Sequence, residues 1–181
     1  MTNKRQVFLK GTDIDLVLLT ADDASTMASW INNEEVTQFL SMGKYPMTLE
    51  NENVFIENAY KSTDHLVLGI YHKKDKKLIG NTGFHRIDQL NQTASFGIII
   101  GEKAYWSKGI GTKVLELMLT YAFTKRNLRN VRLSVLGNNP RGKRCYEKCG
   151  FTEVGSYPNH LFKAGAWHDE ILMIVHNPLS T

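Results

Sequence analysis

The spacing of apolar and polar residues along the chain predicts a mixed succession of strands and helices. Short apolar runs bounded by turn residues predict strands at residues 14–19, 65–72, 77–86, 93–100, 131–136, 152–157 and 170–175. Helical spacing predicts helices at residues 22–32 and 49–60, one beginning at residue 110, and one at 140–149. A meander is followed by a strand-helix-strand crossover, which indicates an α/β fold with a mixed sheet.

The helix that begins at residue 110 has the clearest helical period in the chain. Its expected core face consists of Ile110, Val114, Leu117, Met118, Tyr121 and Ala122. Lys113, Glu116 and Lys125 fall elsewhere on the same helix. One side of this helix is therefore expected to pack on the sheet.

The segment before this helix has the composition of a phosphate-binding turn. It reads Trp106, Ser107, Lys108, Gly109, Ile110, Gly111 and Thr112. A glycine-rich turn that opens a helix directs unpaired backbone N–H groups and the positive end of the helix dipole at one point. Glycines 109 and 111 are expected to let a phosphate approach these amides, and Lys108 adds positive charge. A glycine pair alone also fits a simple tight turn.

Two nucleotide-binding motifs do not fit this segment. The dinucleotide fingerprint requires a third glycine where Val114 stands, and a Walker-type loop cannot be aligned over residues 108–113. What remains is a strand, a short glycine-containing loop and a helix. This arrangement suits a pyrophosphate held mainly by main-chain donors.

A second short helix is marked at both ends. Asn139 suits the N-cap, Pro140 suits the first helical position, and Gly150 suits the left-handed residue that closes a helix. The sequence therefore predicts a helix from about residue 140 to residue 149.

These two segments together resemble the signatures of the GNAT family of acetyl-CoA-dependent N-acetyltransferases. The family's loop, R/Q-x-x-G-x-G/A, is matched from Trp106 to Gly111, with Trp106 in the Arg/Gln position, as in the branch resembling ribosomal-protein-alanine and spermidine acetyltransferases. The second signature is matched by Asn139, Tyr146, Glu147, Gly150 and Phe151. Residues 32–36 and 165–170 also resemble that branch, so the similarity extends over nearly the whole chain.

The resemblance implies a fold and a set of roles. The parallel strands that begin near Ala94 and Val131 are expected to splay apart, with helices on both faces of the sheet and the pantetheine arm of coenzyme A between the strands. Backbone groups of residues 98–100 (Ile98, Ile99 and Ile100) would bind pantetheine and the acetyl carbonyl. Asn139 is either an N-cap, a cofactor ligand or both, and Arg144 or Lys143 would bind the anionic end of the cofactor.

Acetyl transfer to an amine requires a neutral amine, a polarised carbonyl and a proton for the departing thiolate. Tyr146 is the expected proton donor, because a phenol with a pKa of ~10 is close to a thiol at ~8.5. An ordinary packed aromatic is the alternative interpretation of this residue.

The sequence alone does not identify the general base or the acceptor amine. Many relatives place a glutamate on the strand before the phosphate loop, where this chain has Ser95 in the segment 94–97. Water, His85, His168 or Glu34 are the alternatives for removing the proton. The acceptor is a protein N-terminus, a polyamine, an amino acid or an amine antibiotic, and residues 32–60 are expected to line its side of the cleft. The acids that could attract a cation there are Glu34, Glu35, Glu50 and Glu52.

Length and composition are consistent with this interpretation. A chain of 181 residues buries roughly 70% of its unfolded surface in one core, so we expect a single domain. No apolar run reaches the ~20 residues of a membrane span, and no export signal is apparent, so a cytoplasmic protein is expected. Cys145 and Cys149 are expected to be packing residues, with no metal site.

The net charge of the chain does not indicate a nucleic-acid partner. The formal net charge is only +4, and the 22 Lys and Arg residues are dispersed. The basic group at residues 73–77 is expected to be a solvated hairpin turn. We expect no nucleic-acid or membrane partner, while a homo-oligomer is possible.

Two other functions compete with catalysis. The first is a module that binds or senses coenzyme A or acetyl-CoA without turnover. The second is an oligomeric scaffold whose cleft binds no coenzyme A at all.

Overall fold

The computed structural model describes residues 5–40, 43 and 45–179 of the chain. Its strands are β1 Val7–Lys10, β2 Ile14–Val17, β3 Leu66–His72, β4 Lys77–Asp88, β5 Thr93–Ile100, β6 Asn130–Leu136, β7 Thr152–Lys163 and β8 Ala166–His176. Its helices are α1 Ala24–Ile31, α2 Glu34–Thr37, α3 Leu49–Asn58, α4 Ile110–Thr124 and α5 Pro140–Lys148. Short 3-10 helices cover Ala21–Asp23 and Lys103–Tyr105.

The strands form one eight-stranded mixed sheet in the order β1-β2-β3-β4-β5-β6-β8-β7. Strands β1 to β5 are an antiparallel meander, and β6 pairs antiparallel with β8, which pairs antiparallel with β7. The parallel pair in the sheet is β5 with β6, joined by the crossover through α4. The predicted α/β fold with a mixed sheet is therefore confirmed.

Two apolar clusters lie on opposite faces of this sheet. One contains α4 residues such as Val114 and Met118 together with Phe96, and Tyr146 of α5 packs against it. The other contains Met27 and Trp30 of α1, with Ile56 of α3 and neighbours from the sheet. Side chains alternate between faces along a strand, so each cluster takes every second residue of the central strands. Helices cover both faces, as the resemblance implied.

Strands β5 and β6 part after a short contact. They pair at Thr93, Ala94 and Ser95, opposite residues 130–132, and the register ends there. Beyond this point β5 stays bonded to β4 as far as Ile100, and β6 stays bonded to β8 as far as Leu136. The predicted separation of the two parallel strands is thus present, and it opens a cleft in the middle of the sheet.

Several predicted boundaries differ from the structure. Strand β1 and helix α2 were missed, because each has only four residues and too few positions for a period to show. The first predicted strand, 14–19, ends at Val17. The last two strands are longer than predicted and form a hairpin, since β7 runs to Lys163 and β8 starts at Ala166. The expected hairpin turn lies at residues 73–76, as predicted.

The buried face of α4 is shifted relative to its predicted face. Ile110, Val114, Met118 and Ala122 are buried as expected, but the fully covered positions also include Leu115 and Leu119. Leu117 and Tyr121 are only partly buried at the edge of the same cluster. Two helical stripes fit this sequence almost equally well, and contact with the sheet selects between them. Lys113, Glu116 and Lys125 are exposed, as predicted.

No helix among the residues that the structure describes is both long and apolar enough to span a membrane. The two cysteines are free thiols, and Cys149 packs at the edge of the core. Burial raises the pKa of the Cys149 thiol to about 12, which makes it a poor nucleophile.

Candidate active site

A cleft of about 1160 Å³ lies where β5 and β6 separate. Its wall includes residues of β4, β5, β6 and α3, the start of α4 and much of α5. This volume exceeds the roughly 300–1,000 Å³ of a typical small-molecule site. The cleft is therefore large enough for two reactants.

The N-terminus of α4 opens into this cleft without a side-chain cap. Gly109, with φ of 75°, is the N-cap residue, and no side chain bonds to the first amides of the helix. The carbonyl of Gly109 accepts the amide of Lys113, which leaves the amides of Ile110, Gly111 and Thr112 without helical partners. These three residues line the cleft. Free amides and the positive end of a helix dipole favour an anion, and the sequence predicted an anion site at this position.

The loop before α4 is held in an unusual backbone conformation. Ser107 has φ of 59°, a left-handed value that is uncommon outside glycine. Ser107 lines the cleft, whereas Lys108 is not among the residues described as lining it. The ammonium group of Lys108 instead lies 5.7 Å from the ring centre of Tyr105. The expected positive charge beside the loop is thus turned toward an aromatic ring.

Trp106 connects the loop to two other parts of the site. Its indole N–H donates to the carbonyl oxygen of Ile100 over 2.7 Å. The guanidinium of Arg141 lies 4.7 Å from the indole ring centre, a cation–π distance. Sequence reasoning missed Arg141 and named Arg144. Both arginines line the cleft.

Asn139 caps α5, as the sequence predicted. Its Oδ1 accepts the amide of Gly142 over 2.9 Å. Its side-chain amide nitrogen has no hydrogen bond within the described part of the chain, and Asn139 lines the cleft. Capping uses the acceptor atom and leaves the donor atom available to a ligand. The two roles considered for Asn139 are therefore compatible.

Tyr146 projects from α5 onto the α4 face of the sheet at the edge of the cleft. Its ring centre lies 6.5 Å from that of Phe96 and 6.0 Å from that of Phe151, so aromatic contacts fix its orientation. Within the described residues, no group hydrogen-bonds to its hydroxyl. Burial raises the pKa of Tyr146 to about 12, with a smaller effect of Cys145. The phenol therefore stays protonated and able to donate.

The elevated pKa changes the expected role of Tyr146. Its ordinary pKa near ~10 suggested a nearly matched proton transfer to a thiolate at ~8.5. The pKa of about 12 for Tyr146 lies much farther above that of the thiol. Donation of a hydrogen bond to the developing thiolate is consequently favoured over complete loss of the proton.

The three isoleucines at the end of β5 form one edge of the opening. Ile98, Ile99 and Ile100 pair with β4 on one side and have no ladder to β6 on the other. All three line the cleft. The Ile100 carbonyl, however, already accepts the Trp106 indole.

The face of β4 and β5 that is turned toward α1 and α3, away from Tyr146, carries a separate group of side chains. Ile99 packs with the α1 and α3 cluster, so Gly97 and Ser95, which are in phase with it, face the same way. In the antiparallel register Gly83 lies opposite Gly97, and His85 lies opposite Ser95. Tyr146 and this group of side chains thus lie on different faces of the sheet, and both line the cleft.

Of the residues considered as bases, His85 alone is described as lining the cleft. A Cβ on Gly97 would stand 3.4 Å from its Nε2, so the imidazole lies directly over that glycine. The pKa of His85 is lowered, first by desolvation and then by the positive charges of His65 and Arg86. The cleft wall desolvates the ring although the residue as a whole is exposed. His168 contacts the carbonyl of Lys163 in the β7–β8 hairpin.

The four acids near the expected acceptor side differ sharply in their surroundings. Glu34, Glu35 and Glu50 are exposed, and Glu35 pairs with Lys103 over 2.8 Å. Glu52 is 3% exposed and lines the cleft. Desolvation by burial raises the pKa of its carboxyl. Hydropathy could not separate Glu50 from Glu52, because both occupy the same polar helix and only the packing of α3 on α1 distinguishes them.

The role assigned to Gly111 requires a correction. A Cβ built on Gly111 would lie 3.2 Å from the Sγ of Cys145, so the missing side chain faces α5 and not open space. A Cβ on Gly109 would meet no atom within 4 Å. Gly109 therefore borders open space at the start of α4, while Gly111 allows close packing of α4 against α5.

No group of three potential metal ligands occurs among the residues that the structure describes. A central opening between diverging parallel strands, an uncapped helix N-terminus and a partly buried tyrosine are together the arrangement that the resemblance to coenzyme A-dependent acetyltransferases implied. Residues 13–152 match the family model described as an acetyltransferase (GNAT) domain, and the chain belongs to this family. The class predicted from the two sequence signatures is confirmed.

Individual relatives agree with this assignment. The chain is 27% identical over 138 residues to the spermidine N(1)-acetyltransferase of Vibrio cholerae, covering 76% of this chain and 78% of the relative. It is 25% identical over 164 residues to the uncharacterized N-acetyltransferase YoaA of Bacillus subtilis, covering 88% and 91%. The structure of the Vibrio cholerae spermidine N-acetyltransferase in complex with CoA and spermine superposes with a TM-score of 0.84 at 24% identity, covering 92% and 97%.

Proposed function

We propose that this protein transfers the acetyl group of acetyl-CoA directly to a primary amine. The observation that carries the proposal is the position of Tyr146, which lines the cleft between β5 and β6 and whose hydroxyl has no hydrogen-bond partner among the described residues. The uncapped start of α4 borders the same gap. An anionic cofactor held at α4 would bring a thioester on its extended arm to this tyrosine.

The cofactor would be bound mainly by main-chain groups. Amides of residues 110–112 would hold the pyrophosphate, and the loop residues Ser107 and Gly109 would border it. At the free edge of β5, the backbone of Ile98 would pair with the pantetheine arm, because hydrogen-bonded positions alternate along β5 and Ile99 bonds to β4. Arg141 and Arg144 would neutralise phosphate groups at the outer end, and the Asn139 amide would donate to the arm.

The acceptor would enter from the α3 face of the sheet. There His85 would take the proton of the attacking amine, because its lowered pKa keeps the imidazole neutral near pH 7. Tyr146 would donate a hydrogen bond to the sulfur on the other face as the thiolate departs. The bond between sulfur and the acetyl carbon breaks as the bond between nitrogen and that carbon forms.

The acceptor belongs to the small amines or protein N-termini, and we assign the reaction to the cytoplasm, where acetyl-CoA is available. This proposal is tested by thiol release from acetyl-CoA with a panel of polyamines, aminoglycosides, amino acids and free N-terminal peptides. Amine-dependent release is expected, with kcat about 100-fold lower in Tyr146→Phe.

If acetyl-CoA raised the melting temperature but no amine caused thiol release, the non-catalytic binding module would be favoured. If acetyl-CoA neither raised the melting temperature nor released thiol with any amine, both the acetyltransferase and the binding module would be excluded.

A further inference from the structure

Glu52 is a buried carboxylate that faces the cleft. It lies on α3, is 3% exposed, and lines the cleft above β4 and β5. Within the described part of the chain, no hydrogen bond or ion pair reaches its side chain. A buried carboxylate without a partner is costly, and proteins retain such groups mainly where a ligand supplies the opposite charge. Glu52 therefore needs a function beyond packing.

The surroundings of Glu52 are apolar. Its part of the cleft wall is contributed by α1, α2, α3 and the segment between α2 and α3, namely Ile31, Val36, Phe39, Leu40, Met47 and Phe55. Glu170 is the other acid described as lining the cleft, and it lies within 3.5 Å of His160 on the β7–β8 side. Among the described residues, Glu52 is thus the one carboxylate that lines the acceptor side, and much of the wall there is hydrocarbon and aromatic.

Glu52 and His85 occupy different parts of this face. His85 lies over Gly97, next to the edge of β5 where the strands part. Glu52 reaches the cleft from the helical layer above the sheet. His85 already stands next to the gap, where a base for the attacking amine is needed, so this role does not fall to Glu52. The charge of Glu52 is better matched to a cation elsewhere on the acceptor.

We propose that Glu52 binds a second, non-reacting cationic group of the acceptor, so that the enzyme prefers an amine with an apolar body and one further positive charge. This inference rests on the proposed acetyl transfer and specifies its acceptor. A linear amine with several charges fits less well, because this side of the described cleft offers one carboxylate. The preferred acceptor is thus a compact, apolar diamine.

The test compares two acceptors that differ in one charge. Meta-xylylenediamine has an aromatic body and two primary amines, and meta-methylbenzylamine replaces one aminomethyl group by methyl. Steady-state kinetics with acetyl-CoA would be measured for the wild type, Glu52→Gln and Glu50→Gln. Glu50→Gln is the matched control, because it removes the same charge from an exposed position of the same helix.

The wild type is expected to favour the diamine. In Glu52→Gln the KM for the diamine rises roughly 10- to 100-fold, the effect of losing a charged hydrogen bond, with kcat nearly unchanged. Kinetics with the monoamine stay as in the wild type, and Glu50→Gln behaves as the wild type with both acceptors. Spermidine is expected to have a lower kcat/KM than the xylylene diamine.

Three results would overturn the inference. The wild type could show no preference for the diamine, or the KM for the diamine could be unchanged in Glu52→Gln. The third is an equal fall in the kcat of Glu52→Gln with both acceptors, which would make Glu52 a base. If neither probe is acetylated, calorimetry of diamine binding to the coenzyme A complex decides, and equal affinity in wild type and Glu52→Gln overturns it. Acetyl-CoA stabilisation and thiol release across the wider amine panel test the proposed function separately.

Discussion

The indole of Trp106 donates a hydrogen bond to the carbonyl oxygen of Ile100 over 2.7 Å. This bond ties the loop that precedes α4 to the last residue of β5, at the edge of the cleft. Arg141 of α5 covers the other side of the indole at 4.7 Å. Trp106 thus joins its own loop, β5 and α5 at one edge of the cleft.

Trp106→Phe should weaken acetyl-CoA binding without abolishing catalysis. The variant keeps an aromatic ring under Arg141 but leaves the Ile100 carbonyl unpaired, which costs about 1–1.5 kcal/mol. We expect a KM for acetyl-CoA roughly 10-fold higher and a nearly unchanged kcat. Trp30→Phe is the control, since it removes an indole bond to Glu102 on the α1 face and should lower stability alone. Equal KM values in the two variants would contradict the role of Trp106.

His85→Gln should remove the acidic limb of the pH profile. The pKa of His85 lies below its ordinary value of 6.5, because desolvation disfavours the imidazolium. Activity that needs the neutral ring rises with pH through this lowered pKa and is complete near pH 7. We expect kcat/KM of the wild type to rise with pH along this limb. In His85→Gln the limb should be absent, and kcat/KM at pH 7 should be about 100-fold lower. His168→Gln should keep the limb, and a limb that persists in His85→Gln would assign the base to another group.

Glu52→Gln should stabilise the unliganded protein. Burial raises the pKa of Glu52, so the folded state binds its proton more tightly than the unfolded chain. The stability from this group is present below the unfolded pKa near 4.5 and is lost as pH rises through the folded value.

Near pH 7 the variant should therefore gain ~1 kcal/mol of unfolding free energy, or about 2–4 °C in Tm. Thermal unfolding between pH 4 and pH 8 measures this, and the gain should shrink toward the acid end. Glu50→Gln should show no such gain. Destabilisation by Glu52→Gln at pH 7 would mean that its carboxylate is internally paired.

Gly111→Ala should impair the site through helix packing. Its new Cβ would lie 3.2 Å from the Sγ of Cys145 and push α5 away from α4. We expect acetyl-CoA affinity to fall several-fold and to recover in the double variant Gly111→Ala/Cys145→Ala, where the opposing sulfur is absent. Calorimetric affinities for both variants and for Cys145→Ala alone provide the comparison. A loss that persists in the double variant would place Gly111 against the phosphate itself.

The boundaries predicted well from sequence are those with local causes. Asn139 and Pro140 mark the start of α5 by capping and by a fixed φ, and the structure has both. The start of α4 follows from Gly109, which adopts a left-handed φ as the N-cap. Short elements such as β1 and α2 escaped prediction, because their stability comes from pairing and packing with distant segments.

The sequence by itself determined the family, the order of the main elements and the glycine turn that begins α4, because turn residues, caps and apolar periods act over a few neighbouring positions. Only the tertiary structure decided which side chains meet in the cleft. Burial of Glu52 beside the exposed Glu50, the position of His85 over Gly97 and the contact of Gly111 with Cys145 all depend on how separate elements pack. Such contacts join residues far apart in the chain, so local patterns carry no signal for them.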